Sequence, residues 1–224
     1  ELVGAVANVN GWSGSTGKYV TRRAAAKGWI STAKPHYGIM SLGAFLDLRT
    51  QHGLKVVGKA EVARAGGRQY HVISKNQTSL EGCKGKTLAS DHADDGKFVD
   101  RVASGGDFEL GDFQLVATKR PMQTVKKVTR GEAECALVDD AQFASLKKVE
   151  GGAAVKSVWK SAKLPPMVVV AFPAAPKPER AKFKSNLGKV CAGSGKAACD
   201  RAGIKHLKPA GEGDYAAVVS AYGG

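Results

Sequence analysis

The sequence predicts an α/β protein, because short apolar segments with strand character alternate with longer segments of helical periodicity. The 224 residues suffice for one compact domain or for two lobes of about 100 residues each. Hydrophobic residues make up 43% and charged residues 24%, and the 28 glycines follow no fixed period. These values exclude collagen-like, coiled-coil and wholly disordered chains.

The N-terminal segment is predicted to form a strand, a glycine-rich loop and a helix. Leu2–Val9 alternates apolar and small residues, residues 10–17 have loop composition, and residues 18–27 have helical composition. This order suits an anion at the helix start, although a flexible capping loop fits the same residues. A phosphate-binding P-loop is excluded, because Trp12 stands where that motif needs glycine and Tyr19 where it needs Ser or Thr.

The next segments are predicted to form a βαβ unit and then a second subdomain. The unit comprises a strand at residues 36–40, a helix at 41–52 and a strand at 54–60. After a strand at residues 69–74 and a turn-rich stretch, a new subdomain is predicted to start. The later elements are predicted as strands at 86–90, 113–117, 135–138 and 167–172, a turn and strand at 149–159, and helices at 94–102, 121–130, 178–189 and 214–222.

Two carboxylates, Asp139 and Asp140, come directly after the buried strand at residues 135–138. The carboxyl ends of strands are where α/β folds bind ligands, so this pair marks a candidate site. Neighbouring residues on a strand point to opposite faces. A shared acid/base role for the two carboxylates is therefore not expected.

The chain is strongly basic, with 34 Lys and Arg against 20 Asp and Glu and a net charge of +14. This charge favours an anionic ligand or surface as a partner. The cations stand singly or in pairs and aromatic residues make up only 7%, so no nucleic-acid surface is expected. No apolar stretch reaches the ~18 residues of a membrane span.

The four cysteines favour an oxidising compartment. Cys191 and Cys199 bracket the small residues AGSGKAA, which suit a short disulfide loop. Cys83 and Cys135 each border a predicted strand and form either a second disulfide or two buried thiols. No cysteine or histidine cluster has zinc spacing, so no metal is expected. Because the chain begins at Glu1 rather than Met, a targeting segment or a longer N-terminal region is expected to precede it.

Four patterns occur in order between residues 79 and 215. They are SLEGCKGKTLA at residues 79–89, VTRGEAECALVD at 128–139, LPPMVVV at 164–170, and GIKHLKPA at 203–210 followed by Asp214-Tyr215. In this order they resemble the phosphate, phosphite and phosphonate group of solute-binding proteins of ABC transporters. That group has the type 2 periplasmic-binding-protein fold.

The resemblance implies two α/β lobes joined by crossing strands near residues 75–77 and 164–168, with a ligand held between the lobes. Lobe one would comprise residues 1–76 and 168–224, and lobe two residues 77–167. It also implies a non-enzymatic, periplasmic or extracytoplasmic protein without a cofactor. Such a protein captures a small polar, anionic ligand resembling phosphonate or phosphate and delivers it to an ABC permease. The alternative is a sensory or protein-binding module of the same fold without transport.

One turn departs from the family pattern. Where the family has a Ser/Thr-rich turn that grips the phosphonate oxygens, this chain has SDHADDG at residues 90–96. Three carboxylates repel a dianion. Either the ligand is therefore cationic, zwitterionic or polar, or Asp94 and Asp95 only stabilise the start of a helix. Arg120 has the opposite charge and either grips a carboxylate or phosphate or is one more exposed cation.

Six side chains are candidates for ligand binding, and no residue is assigned a catalytic or metal-binding role. They are Tyr37 and Ser41 in lobe one, and Ser90, His92, Arg120 and Asp139 in lobe two. Ser41 offers a hydroxyl and a helix N-terminus, and Tyr37 offers its ring or its phenol. Asp139 binds an ammonium group or orients Arg120. Burial in the core is the alternative for Tyr37 and His92.

Overall fold

A computed structural model describes residues 1–63 and 67–224. The chain divides by its internal contacts into two compact units. Unit one is Glu1–Arg64 with Pro165–Ala216, and unit two is Ala65–Leu164 with Ala217–Gly224. Each unit therefore contains two separate stretches of the chain.

The helices and strands alternate along most of the described chain, as the α/β prediction requires. The helices are α1 (Leu2–Asn10), α2 (Arg23–Ala33), α3 (Leu42–His52), α4 (Leu80–Cys83), α5 (Gly96–Phe98), α6 (Pro121–Thr129), α7 (Asp140–Ser145), α8 (Lys177–Val190), α9 (Lys196–Arg201) and α10 (Ala216–Tyr222). The strands are β1 (Tyr37–Met40), β2 (Lys55–Val62), β3 (Tyr70–Ser74), β4 (Thr87–Ser90), β5 (Gln114–Ala117), β6 (Cys135–Asp139), β7 (Lys156–Lys160), β8 (Met167–Ala171) and β9 (Ile204–Pro209). Within residues 1–63 and 67–224, no helix is both long and apolar enough to cross a membrane.

Unit one is built on a four-stranded sheet in the order β1-β8-β2-β9. Every neighbouring pair is antiparallel, so β1 and β2 run parallel to each other with β8 between them. Helix α3 connects β1 to β2, as the predicted βαβ unit requires. The core on one face combines Val169 of β8 and Leu207 of β9 with Phe183 and Leu187 of α8.

The prediction of a strand at Leu2–Val9 is wrong, because these residues form helix α1. Leu2, Val6 and Val9 recur at helical spacing and pack against the core that contains Phe183. The small residues between them made the same segment resemble a strand. The helix predicted at residues 18–27 instead begins at Arg23, so the predicted order of strand, loop and helix is not formed.

Unit two is built on a five-stranded sheet in the order β5-β4-β6-β3-β7. Strand β4 pairs in parallel with both β5 and β6, whereas β3 pairs antiparallel with β6 and β7. The inner strands are almost wholly buried, and Leu88, Ala136 and Val138 have no exposed surface. Strands buried on both faces carry continuous apolar runs, which explains the sequence CALV in β6.

Three segments lie in a different unit from their predicted lobe, and one of them is residues 165–167, which belong to unit one although lobe two was predicted to include them. Strand β3 and the last eight residues, 217–224, were predicted in lobe one but have their contacts within unit two. Helix α10 is linked to that unit by the ring of Tyr222, which lies 4.2 Å from the Lys97 ammonium group. The predicted crossing at residues 164–168 contains a unit boundary, whereas residues 75–77 lie inside unit two.

All four cysteines form disulfides, Cys83 with Cys135 and Cys191 with Cys199. The first links the end of α4 to the start of β6, and neither of its residues has exposed surface. The second closes the turn between α8 and α9. Of the alternatives for Cys83 and Cys135, the structure therefore contains the disulfide.

The two disulfides are expected to stabilise the protein unequally. A crosslink lowers the entropy of the unfolded chain more when it closes a longer loop. The sequence separations are 52 and 8 residues, so Cys83→Ala/Cys135→Ala should lose about 4 kcal/mol and Cys191→Ala/Cys199→Ala about 2.5 kcal/mol of unfolding free energy. Urea denaturation of both double variants tests this order. Equal losses would contradict the loop-length explanation.

Candidate functional site

The parallel strands of unit two bring three polar segments to one edge of the sheet. Asp91 follows β4, Thr118 follows β5, and Asp139 ends β6. Because β4 pairs in parallel with β5 and β6, these three ends lie on the same side. We call this group, with the side chains hydrogen-bonded to it, the carboxyl edge.

Gln142 is the hydrogen-bonding centre of the carboxyl edge, and its side chain is buried. Its Nε2 donates to Asp91 Oδ1 at 2.8 Å and to the Pro121 carbonyl at 3.2 Å. Its Oε1 accepts from the Asp139 backbone N–H at 2.8 Å and lies 3.3 Å from His92 Nε2. One amide therefore ties the ends of β4 and β6 to the start of α6.

Local sequence explains why Gln142 takes this position. Asp139 is the N-cap of α7, and its Oδ1 accepts from the Gln142 backbone N–H at 2.8 Å. Together with the bond from the Asp139 N–H to Oε1, this is a reciprocal capping box. The cap turns Gln142 back towards the strand ends.

A second chain of hydrogen bonds also ends on Asp91. Thr124 Oγ1 donates to Asp91 Oδ1 at 2.8 Å, and the Thr118 and Thr124 hydroxyl oxygens are 2.5 Å apart. Because the Thr124 hydrogen is directed to Asp91, Thr118 must be the donor in the pair. Both threonines are buried. Asp91 Oδ1 therefore accepts from two buried side chains of unit two, Thr124 and Gln142.

Negative charge is concentrated at the carboxyl edge, although the protein as a whole is basic. Burial raises the pKa of Asp139, and the neighbouring carboxylates of Asp140 and Asp91 raise it further, against the Gln142 N–H and His92. Burial also raises the pKa of Tyr70, with Asp139 the largest charge contribution. His92 lies edge-on to the Tyr70 ring at 5.1 Å. Among the described residues, no His, Cys, Asp and Glu side chains group as a metal site requires.

The predicted site residues of unit two lie close together but differ in availability. Ser90 is fully buried, donates to the Leu137 carbonyl at 3.3 Å and accepts from the His92 N–H at 3.0 Å. His92 and Asp139 both contact Gln142 and are half-buried. Arg120 is the exposed N-cap of α6. His92, Arg120 and Asp139 can therefore face a ligand, whereas the Ser90 hydroxyl is committed to the backbone.

The two predicted residues of unit one lie at opposite ends of one strand. Tyr37 begins β1, and its ring stacks on Phe183 at 3.8 Å and on Trp12 at 5.7 Å. Its hydroxyl is buried and has no hydrogen-bond partner in the described part of the chain. Ser41 follows β1 and accepts from the Ala44 N–H at 3.4 Å as the N-cap of α3. Ser41 is exposed, so its hydroxyl is the more available of the two.

Four residues of the carboxyl edge were not among the six sequence candidates: Asp91, Thr118, Thr124 and Gln142. Two signals were present, because Asp91 belongs to the acidic turn at residues 90–96, and Asp139 and Gln142 have the D-x-x-Q spacing of a capping box after a buried strand. The threonines gave no local signal. Their role depends on the pairing of β4 with β5.

No protein-family model and no curated protein sequence matches the chain. Solved structures do match. The XAC2383 protein of Xanthomonas citri bound to ATP superimposes with a TM-score of 0.74, over 99% of this chain and 89% of that chain, at 13% identity. A binding protein component of an ABC phosphonate transporter from Pseudomonas aeruginosa gives 0.70, over 98% and 78%, at 12% identity.

The chain has the type 2 periplasmic-binding-protein fold. The predicted two-lobed α/β architecture is thereby confirmed. A further neighbour of this fold is a histidine kinase sensor domain with similarity to periplasmic binding proteins, with a TM-score of 0.53 over 93% of this chain and 86% of that chain, at 13% identity. At sequence identities of 12–13%, the similarity to these structures shows the fold alone.

The raised pKa of Asp139 predicts a pH-dependent effect of Asp139→Asn. Asn is an equally good N-cap, so α7 should be retained. Below the ordinary Asp pKa of 3.8 both folded and unfolded states are protonated, and the two proteins should be similarly stable. As pH rises above this value the Asp139 carboxyl ionises first in the unfolded chain, so the wild type loses stability relative to the variant.

Urea denaturation between pH 3 and pH 7 measures this difference. Asp94→Asn is the matched control, because Asp94 is an exposed carboxylate in the turn Ala93–Asp95 and takes part in none of the hydrogen bonds described for the carboxyl edge. An Asp139→Asn effect that is the same at every pH would contradict the interpretation and indicate a change in capping alone.

Proposed function

We propose that this protein is a non-enzymatic solute-binding protein that captures a small polar ligand outside the cytoplasm and delivers it to an ABC permease. The observation that carries the proposal is a polar carboxyl edge on a periplasmic-binding-protein fold that matches its neighbours over nearly the whole chain. A neighbour of that fold is the binding component of an ABC phosphonate transporter. Two disulfides support an extracytoplasmic location.

The carboxyl edge has the properties of a preorganised binding surface. Its buried groups are held by short hydrogen bonds centred on Gln142, so they keep their positions without a ligand. His92, Arg120 and Asp139 lie around these groups with exposed or half-buried side chains. In the proposal Asp139 binds an ammonium or hydroxyl group, and Arg120 binds a carboxylate or another anion.

Ser41 is the proposed contribution of unit one. Its exposed hydroxyl stands at the N-terminus of α3, where the helix dipole favours an electronegative ligand atom. Tyr37 is a weaker candidate, because its ring is held in the stack with Phe183 and its hydroxyl is buried. Its proposed role is limited to an aromatic contact.

A sensory module without transport is the second candidate function. It is favoured by the neighbour described as a histidine kinase sensor domain, which also matches over most of both chains. The two functions share ligand binding and differ in the partner. A membrane-spanning or kinase segment encoded in the same gene would favour sensing, and co-purification with a permease would favour transport.

Ligand screening tests the proposed function directly. Native mass spectrometry of the purified protein is followed by thermal denaturation with phosphate, phosphonates, sulfonates, amino acids and polyamines. We expect one class to raise the melting temperature by several degrees, since a hundredfold excess over Kd stabilises a folded protein by about 2.7 kcal/mol. No retained mass and no stabilisation by any class would contradict the proposal.

Two substitutions then assign the contacts by isothermal titration calorimetry. Arg120→Ala should lower the affinity for ligands that carry a carboxylate or another anion. Asp139→Asn should lower the affinity for ligands that carry an amine. We expect each loss to be at least about tenfold. Arg101→Ala is the matched control, because Arg101 is an exposed cation of unit two that lies in the helical segment Val99–Ala103 and takes part in none of the hydrogen bonds described for the carboxyl edge. Equal weakening by Arg101→Ala would show that the effect is one of general charge.

A further inference from the structure

We infer that Asp91 is an internal anion, which occupies the hydrogen-bond donors of the carboxyl edge and makes this protein select against phosphate, phosphonate and sulfonate ligands. The inference rests on the proposed function, because it specifies the ligand class of the same edge. It reverses the ligand charge that the sequence resemblance implies.

The donors of this edge converge on one carboxylate oxygen. Thr124 Oγ1 and Gln142 Nε2 both lie 2.8 Å from Asp91 Oδ1, and Thr118 supports Thr124 from 2.5 Å. The three donor side chains come from α6, α7 and the end of β5, and each is at least nine-tenths buried. A hydroxyl and an amide that point at one oxygen from two helices, with the Thr118 hydroxyl donating to the first of them, form a set of donors suited to an oxyanion. Here the oxyanion belongs to the chain itself.

An external dianion cannot share these donors with Asp91. Each donor hydrogen of Thr124 and Thr118 is already used, and Gln142 Nε2 is divided between Asp91 and the Pro121 carbonyl. A phosphate that displaced Asp91 would leave its carboxylate beside the new negative charge. Asp139 and Asp140 add to that repulsion, as their effects on the Tyr70 phenol also indicate.

The same geometry favours a ligand that donates hydrogen bonds. Asp91 and Asp139 each use Oδ1 in the hydrogen bonds described above, which leaves Oδ2 outside them. Both side chains are half-buried, so they remain partly accessible. A neutral hydroxyl or amide, or a protonated amine, can donate to these oxygens without charge repulsion. The ligand group that faces this edge is therefore neutral or cationic.

Three proteins test the inference with inorganic phosphate and methylphosphonate as probes. Asp91→Asn removes the charge but keeps an oxygen that accepts from Thr124 and Gln142. Asp91→Ser removes the charge and also frees those donors. Calorimetry should detect no binding to the wild type at millimolar concentration, and the affinity for phosphate should increase from wild type to Asn to Ser. We expect the Ser variant to bind phosphate measurably at millimolar concentrations, at which the wild type shows no binding.

Asp94→Asn is the control, because it removes one exposed carboxylate three residues away and should leave phosphate binding unchanged. Circular dichroism and thermal denaturation establish that each variant is folded. If Asp91→Ser does not fold, the Asn variant still carries the comparison, since it keeps the shape of the side chain. Tight binding of phosphate by the wild type, or no gain in a folded Asp91 variant, would overturn the inference.

These outcomes differ from failure of the proposed function. The proposed function fails if the wild type binds no solute of any class. The inference fails only on the response to phosphate and methylphosphonate. A gain of phosphate binding by Asp91→Ser would support the inference even before the natural ligand is known.

Discussion

The parallel pairing of β4 with β5 and β6 is the constraint on which the candidate site depends. Parallel strands share a carboxyl end, so Asp91, Thr118 and Asp139 meet although 48 residues separate the first from the last. Each end of β6 is then fixed by a different bond. The Cys83–Cys135 disulfide holds its first residue, and the capping box of Asp139 with Gln142 holds its last. A shift in this register would disconnect the donors that point at Asp91.

The charge of the whole protein and the charge of the site have opposite signs, and they act over different distances. A net charge of +14 attracts anions from solution and is screened over about 10 Å at moderate salt. At the carboxyl edge, hydrogen-bond distances below 3 Å decide which group fits. The basic composition therefore predicts that the protein as a whole attracts anions. The acidic carboxyl edge determines the charge of the ligand group that we propose to bind there.

The two units have separate cores, so each can hold its own contribution to binding in place. Phe183 and Leu187 centre the core of unit one, and Val125 and Val138 belong to that of unit two. In unit one the aromatic stack of Trp12, Tyr37 and Phe183 joins the N-terminal segment to α8. That stack holds the Tyr37 ring, which is why Tyr37 is the weaker of the two ligand contacts that we propose for unit one.

The sequence by itself determined the features that depend on near neighbours. Strand and helix periodicity predicted most elements, Ser41 was placed at the start of α3, and the apolar run in β6 predicted a buried strand ending in carboxylates. The resemblance that predicted the fold rested on four short sequence patterns. Each of these features is encoded within a few residues.

Only the tertiary structure decided the features that join distant residues. Helix α1 was predicted as a strand, because its burial depends on α8, where Asn186 Nδ2 donates to Asn10 Oδ1 across 176 positions of sequence. The donors to Asp91 come from positions 33 and 51 residues further along the chain. Local composition cannot predict that these side chains converge on Asp91, because strand register and helix packing determine their positions. The sequence thus predicted the fold class and the edge at which to look, while the folded chain decided which side chains converge there.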